Sequence, residues 1–229
     1  MPAYRVVSID GGGIRGLVTT ILLQRIVATP GLEDFLDSTD LIAGTSTGGI
    51  LALGIAHKLE LDRIRDIYVN KGPKIFDDSW LDDLVDPDNA DSDPAKRTWK
   101  PKLFHNYPGP NNDRKSLAVD VALYTSAAPT YFPSVDGYID GGVYANNPAM
   151  CALAQTRDGR YSPTPPIDEV LLLSLGTGTS LQYIKGKSHD WGYAQWVKPL
   201  ISLMLDGTAG IAERTQRKIF TIPIKHLLQ

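Results

Sequence analysis

The pentapeptide Gly44-Thr45-Ser46-Thr47-Gly48 sets a serine hydroxyl between two glycines. A hydroxyl is a weak nucleophile until it is lifted clear of the backbone and relieved of its proton. The G-x-S-x-G pattern meets the first need when a strand enters it and a helix leaves it. The chain then turns sharply, the middle side chain stands above the sheet edge, and flanking residues without a Cβ let neighbouring backbone close in. The helix N-terminus that follows also favours negative charge nearby. Ser46 is therefore the candidate nucleophile of an acyl transfer, with Gly44 and Gly48 as the glycines its turn requires.

Acyl transfer also develops an oxyanion, which preorganised N–H donors stabilise, one of them often supplied by an earlier strand-to-helix loop. Gly11-Gly12-Gly13 is such a loop, one β-α unit upstream of Ser46, and Arg15 beside it offers positive charge for an oxyanion or a phosphate. The same run, continued to Gly16, satisfies G-x-G-x-x-G, the fingerprint of a dinucleotide site. That reading needs a second strand ending in an acidic residue about 20 positions on. Residues 31–37 contain no β-branched run, and Asp10 beside the loop would repel a pyrophosphate. Dinucleotide binding is set aside.

The hydroxyl needs a base. His189 and His226 follow Asp140 and would complete a Ser-Asp-His order, but neither has a distinctive setting. Asp140 does: it ends Gly137-Tyr138-Ile139 and precedes Gly141-Gly142, a pattern expected to place its carboxylate at a strand end with backbone packed closely around it. On the residues alone, a histidine base and a direct carboxylate base both stay open.

These groups need elements to hold them. Val6 to Ile9 is a β-branched strand run that ends at the glycine loop, and apolar Leu17, Ile21, Leu22 and Ile26 recur at helical spacing until Pro30-Gly31. Asp40-Leu41-Ile42-Ala43 predicts a second strand leading into the serine turn, and Ile50 to His57 predicts a helix after it. Ser116 to Leu123 fits a strand or a short helix. Val170 to Leu175 is the clearest buried strand. Trp191 to Arg217 is helical in pattern, with a break or kink expected at Pro199. Strands and helices in alternation predict an α/β layered fold with a mainly parallel sheet.

Composition narrows the function. The chain has 229 residues, 42% apolar and 21% charged, which suits one compact domain spanning residues 1–229. A net charge of -3 gives no electrostatic footprint for nucleic acid. Residues 77–100 crowd Asp, Asn, Pro and Ser into an expected acidic loop, which lacks the D-x-[DN]-x-[DN]-G pattern of a calcium loop, so no metal is expected. The single cysteine, Cys151, permits no internal disulfide and suits a reducing compartment. The N-terminus starts in strand pattern without a secretory signal, and no apolar run approaches the ~20 residues that span a bilayer. The expectation is a soluble, cytoplasmic protein whose contact with membranes is peripheral.

Several motifs agree in order. Asp10-Gly11-Gly12-Gly13-Ile14-Arg15-Gly16, Gly44-Thr45-Ser46-Thr47-Gly48 and Asp140-Gly141-Gly142, with the stretches Thr125 to Pro133 and Leu173 to Gly178, make the chain resemble the patatin-like phospholipases over residues 4 to about 205. The resemblance implies a three-layer α/β/α fold and a Ser-Asp dyad without histidine. Ser46 would be the nucleophile, Asp140 the base, and the Gly11 to Gly13 amides with Arg15 the oxyanion region. It implies no metal or organic cofactor, and a substrate that is a membrane phospholipid or related glycerolipid, cleaved through an acyl-enzyme. A soluble esterase or thioesterase is the enzymatic alternative. A lipid-binding regulatory protein without turnover is another, against which intact Ser46 and Asp140 argue. The chain departs from the family in one respect. Members usually carry a longer segment between Ile75-Phe76 and Trp99 to Asn106, including another core strand, where the acidic loop stands here, and the C-terminus looks short.

Overall fold

The computed structural model describes residues 4–75, 100–110, 112–160, 164–178 and 192–219. Among the described residues its centre is a parallel sheet of three strands: β1 (Tyr4–Ile9), β2 (Leu41–Gly44) and β3 (Val170–Leu175), in the order β2-β1-β3. β1 pairs with β2 from Val6 opposite Leu41 to Ile9 opposite Gly44, and with β3 from Tyr4 opposite Val170 to Ile9 opposite Leu175. All three strands therefore end at one edge, where open α/β sheets hold their ligands.

β1 is buried on both faces, which explains why its sequence is a continuous apolar run rather than an alternation. Val7 and Ile9 point to one side and pack with Leu23 of α1 (Gly16–Val27), Leu51 and Ile55 of α2 (Thr47–Ala56), and Ile64 and Tyr68 of α3 (Leu61–Asn70). Val6 points to the other side and packs with Val170 and with Ala152 and Leu153 of a helix that spans Ala149–Gln155. Helices on both faces of a parallel sheet make the three-layer α/β/α arrangement. α2 buries residues around most of its circumference, Thr47, Gly48, Gly49, Leu51, Ala52, Gly54 and Ile55 among them, as expected of a helix that is apolar all round.

A short α4 (Gly72–Ile75) follows α3, and α5 (Ala118–Ser126) settles the ambiguity at residues 116–123 in favour of a helix. α6 (Gly142–Ala145) comes next, then α7, the Ala149–Gln155 helix, and finally α8 (Tyr193–Ile219). α8 runs through Pro199 without the break its sequence suggested. The strand expected to lead into Asp140 does not form: Tyr138 makes only an isolated bridge with Val135, and Asp140 lies between that turn and α6. Most of the expected acidic loop at residues 77–100 falls outside the described residues. Among the described residues, no helix is long and apolar enough to cross a membrane.

Candidate active site

The turn between β2 and α2 is held by backbone sterics. A Cβ on Gly44 would collide with the Gly48 carbonyl oxygen and lie 2.7 Å from Gly49 N, and one on Gly48 would collide with the Ile9 carbonyl and lie 2.6 Å from that of Asp10. No rotamer change relieves a clash with backbone, so both positions demand glycine. Ser46 between them adopts φ 55 and ψ -128, a conformation that costs a non-glycine residue about 1–3 kcal/mol and persists only where its surroundings enforce it. Its N–H donates to Thr125 Oγ1 at 3.0 Å, and Thr45 Oγ1 donates to the Ala145 carbonyl at 2.8 Å.

Ser46 Oγ donates a hydrogen bond to Asp140 Oδ2 at 2.6 Å, across 94 residues of chain. The Gly142 N–H donates to the other carboxylate oxygen at 2.6 Å, and the Asp140 N–H donates to the Ala127 carbonyl at 2.9 Å. Asp140 is only 4% exposed. Burial pushes its pKa above the ordinary carboxylate value, and the bonds from Ser46 and Gly142 oppose that rise. A carboxylate held this way, desolvated and within proton-transfer distance of a hydroxyl, is a stronger base than one in water.

The glycine loop after β1 divides its work. The Gly11 N–H, expected from sequence to serve the oxyanion, donates to the Asn146 carbonyl at 2.9 Å. Gly12 and Gly13 line the space above Ser46, and no backbone hydrogen bond among the described residues takes their N–H groups. Gly12 leaves no room for a side chain, since a Cβ there would lie 2.7 Å from Thr177 Cβ; Thr177 Oγ1 donates to the Gly11 carbonyl at 2.8 Å. Arg15 lines the same space, but its Nη1 donates to the Gly178 carbonyl at 3.1 Å and its Nε to the Gly12 carbonyl at 3.5 Å. It therefore braces two loops against each other. Gly16, at the start of α1, accommodates the paired hydroxyls of Thr47 and Tyr68; a Cβ on it would lie 2.6 Å from Tyr68 Oη. Around Asp140, a Cβ on Gly141 would come 3.3 Å from Thr45 Cγ2 and one on Gly142 would come 2.8 Å from Leu205 Cδ2.

A cavity of about 320 Å³ opens over this cluster, walled by Ile50, Ile75, Tyr131, Phe132, Ile201 and Leu205. Apolar walls over a hydroxyl, a buried carboxylate and two amides without a backbone partner among the described residues could receive an ester whose acyl group is a hydrocarbon. Asp10 lies beside the glycine loop, 8% exposed, with no partner to its Oδ1 among the described residues. Burial raises its pKa to about 7, with the Asn147 side chain working against the rise and Glu213 adding to it. Among the described residues no three His, Cys, Asp or Glu side chains are grouped to hold a metal ion. His57 caps the far end of α2, and His105 contacts Arg160. His189 and His226 lie outside the described residues. Asn146 was not singled out from sequence, although its buried side chain separates the Gly11 and Gly142 turns; the signal was two asparagines in the otherwise apolar run after Asp140.

Comparison with known proteins finds relatives of one family. A family model described as patatin-like phospholipase matches residues 7–117. "Patatin-like protein 2" of Arabidopsis thaliana is 29% identical over 263 aligned positions, covering 84% of this chain and 65% of the relative. "cGAMP-activated phospholipase" of Vibrio cholerae is 32% identical over 227 positions, covering 76% of this chain and 64% of the relative. "Probable inactive patatin-3-Kuras 1" of Solanum tuberosum is 30% identical over 262 positions, covering 85% of this chain and 69% of the relative. The chain thus spans about two thirds of the length of these relatives. An alignment of 263 positions also exceeds the 229 residues of this chain, so the Arabidopsis protein carries residues that this chain lacks.

Proposed function

The chain belongs to the patatin-like phospholipase family, and on that premise we propose that it hydrolyses acyl esters of phospholipids or related glycerolipids, with Ser46 as nucleophile and Asp140 as base. One observation carries the reading: the 2.6 Å hydrogen bond from the strained Ser46 to the buried Asp140. Ser46 Oγ attacks the ester carbonyl carbon as its proton passes to Asp140 Oδ2. The resulting oxyanion is taken by the Gly12 and Gly13 amides. Collapse breaks the bond to the glyceryl oxygen, which takes the proton back from Asp140. Water then attacks the acyl-enzyme with Asp140 again as base, and the fatty acid and free Ser46 are regenerated. Peripheral contact with a lipid surface would deliver the substrate to the apolar walls of the cavity.

The relative named as probably inactive shows that the family includes a chain thought not to turn over. Ser46 and Asp140 here keep the contact that turnover needs. A fluorophosphonate probe should label the wild type at Ser46 and leave Ser46→Ala untouched, and labelling that persists in the variant would show that the nucleophile lies elsewhere. Mass spectrometry of products from dispersed phospholipid and from a short soluble ester should find fatty acid released from both. Release from the soluble ester alone would replace the lipid reading with a small-ester or thioester hydrolase.

A further inference from the structure

Thr125 stands one residue before the end of α5, on an element that carries neither Ser46 nor Asp140. The residues at this helix end nevertheless hold both. The Ser46 N–H donates to Thr125 Oγ1 at 3.0 Å, the Gly141 N–H to the Thr125 carbonyl at 3.3 Å, and the Asp140 N–H to the Ala127 carbonyl at 2.9 Å. On its other flank the Thr125 methyl group packs against α2, 2.7 Å from where a Cβ on Gly49 would lie. One short stretch thus registers the nucleophile turn against the carboxylate loop.

The Ser46 amide depends on this partner. Ser46 precedes the first turn of α2, so no helical carbonyl lies behind its N–H. The residue is 8% exposed, and a buried donor that loses its acceptor is costly. Its φ of 55 is held only as firmly as its surroundings hold it. Valine at this position would keep the β-branched shape and withdraw the acceptor, whereas serine would keep the acceptor and lose the methyl group.

We propose that Thr125 is a positioning residue of the hydrolytic site: its hydroxyl fixes the strained Ser46 backbone, and its carbonyl, through Gly141, keeps Asp140 in register with it. The proposal rests on the Ser46–Asp140 reading above. The test measures the rate of fluorophosphonate labelling at Ser46, kcat and KM on a short soluble ester, and the melting temperature, for the wild type, Thr125→Val and Thr125→Ser. Thr125→Val should label and turn over roughly 10- to 100-fold more slowly, with KM changed by no more than about twofold, because the loss falls on reactive geometry rather than on substrate contact. Thr125→Ser should recover most of the rate. Full-rate labelling of Thr125→Val overturns the inference and leaves the dyad standing, and so does a serine variant as slow as the valine one. A wild type that is not labelled at Ser46 removes the dyad and the inference together. If Thr125→Val does not fold, Thr125→Ala replaces it, and equal rates for the alanine and serine variants overturn the proposal.

Discussion

The two turns that meet at the site are built on different principles. The Ser46 turn is closed by backbone against backbone: Cβ atoms on Gly44 or Gly48 would strike carbonyl groups that cannot move aside. The Asp140 turn is closed by borrowed contacts, namely the Ala127 and Thr125 carbonyls and the side chains of Thr45 and Leu205. A turn fixed largely by backbone therefore faces a carboxylate loop whose placement is set by its neighbours, and the two should respond differently to the same kind of substitution.

The largest effect should come from Gly44→Ala or Gly48→Ala. Each should yield protein without activity and with a lost or strongly lowered melting transition, because the clash is with the end of β1 and the start of α2. A folded, active Gly48→Ala would show that the turn is looser than its contacts indicate. Next is Asp140→Asn, which removes the proposed base while leaving its shape. Turnover should fall by about 10²- to 10⁴-fold with an unchanged circular dichroism spectrum. Because burial raises the Asp140 pKa and the proposed base acts ionised, wild-type activity should be lost as pH falls through that raised value, so the acid limb of the rate profile should lie above the ordinary carboxylate range.

Gly142→Ala probes the softer turn. The nearest obstacle is the tip of Leu205, a flexible side chain, followed by Asp140 Oδ1 at 3.0 Å and Asn146 Oδ1 at 3.1 Å, so the variant should fold and lose about 1–3 kcal/mol, seen as a melting temperature lower by a few degrees. Asp10→Asn concerns stability alone. A buried carboxyl whose pKa rises from 3.8 to about 7 holds its proton longer in the folded chain than in the unfolded one. Folding stability is then fully retained below the unfolded value and declines as pH rises towards 7. Asp10→Asn should melt above the wild type at pH 8, with the gap closing as pH falls towards 4. The smallest effect should be that of His57→Ala, whose side chain lies at the opposite end of α2 from Ser46. An inactive but folded His57→Ala variant would argue against the dyad.

Residue types alone reveal the parts of the molecule governed by short-range rules. Val6 to Ile9 and Val170 to Leu175 were legible as strands because each is an apolar run too short for a helix that ends at aspartate or glycine, but full burial holds for the first alone, since Leu171 in the second is 47% exposed. The Ser46 turn was legible because the obstacle to a Cβ on Gly44 is backbone a few residues on, at Gly48, although the obstacle at Gly48 is the distant end of β1. Tertiary structure alone decided the rest. It made residues 118–126 a helix where the local pattern allowed either state, and it placed Asp140 after an isolated bridge rather than at a strand end. It committed the Gly11 amide to Asn146 and turned Arg15 towards Gly178, 163 residues away. It also brought Thr125 to the Ser46 amide across 79 residues. The physical reason is one of range. Backbone sterics and side-chain periodicity act within a turn or a strand and leave their mark in residue types. A hydrogen bond between distant segments exists only after helices pack on the sheet, and a glycine, threonine or arginine carries no sign of which partner packing will bring.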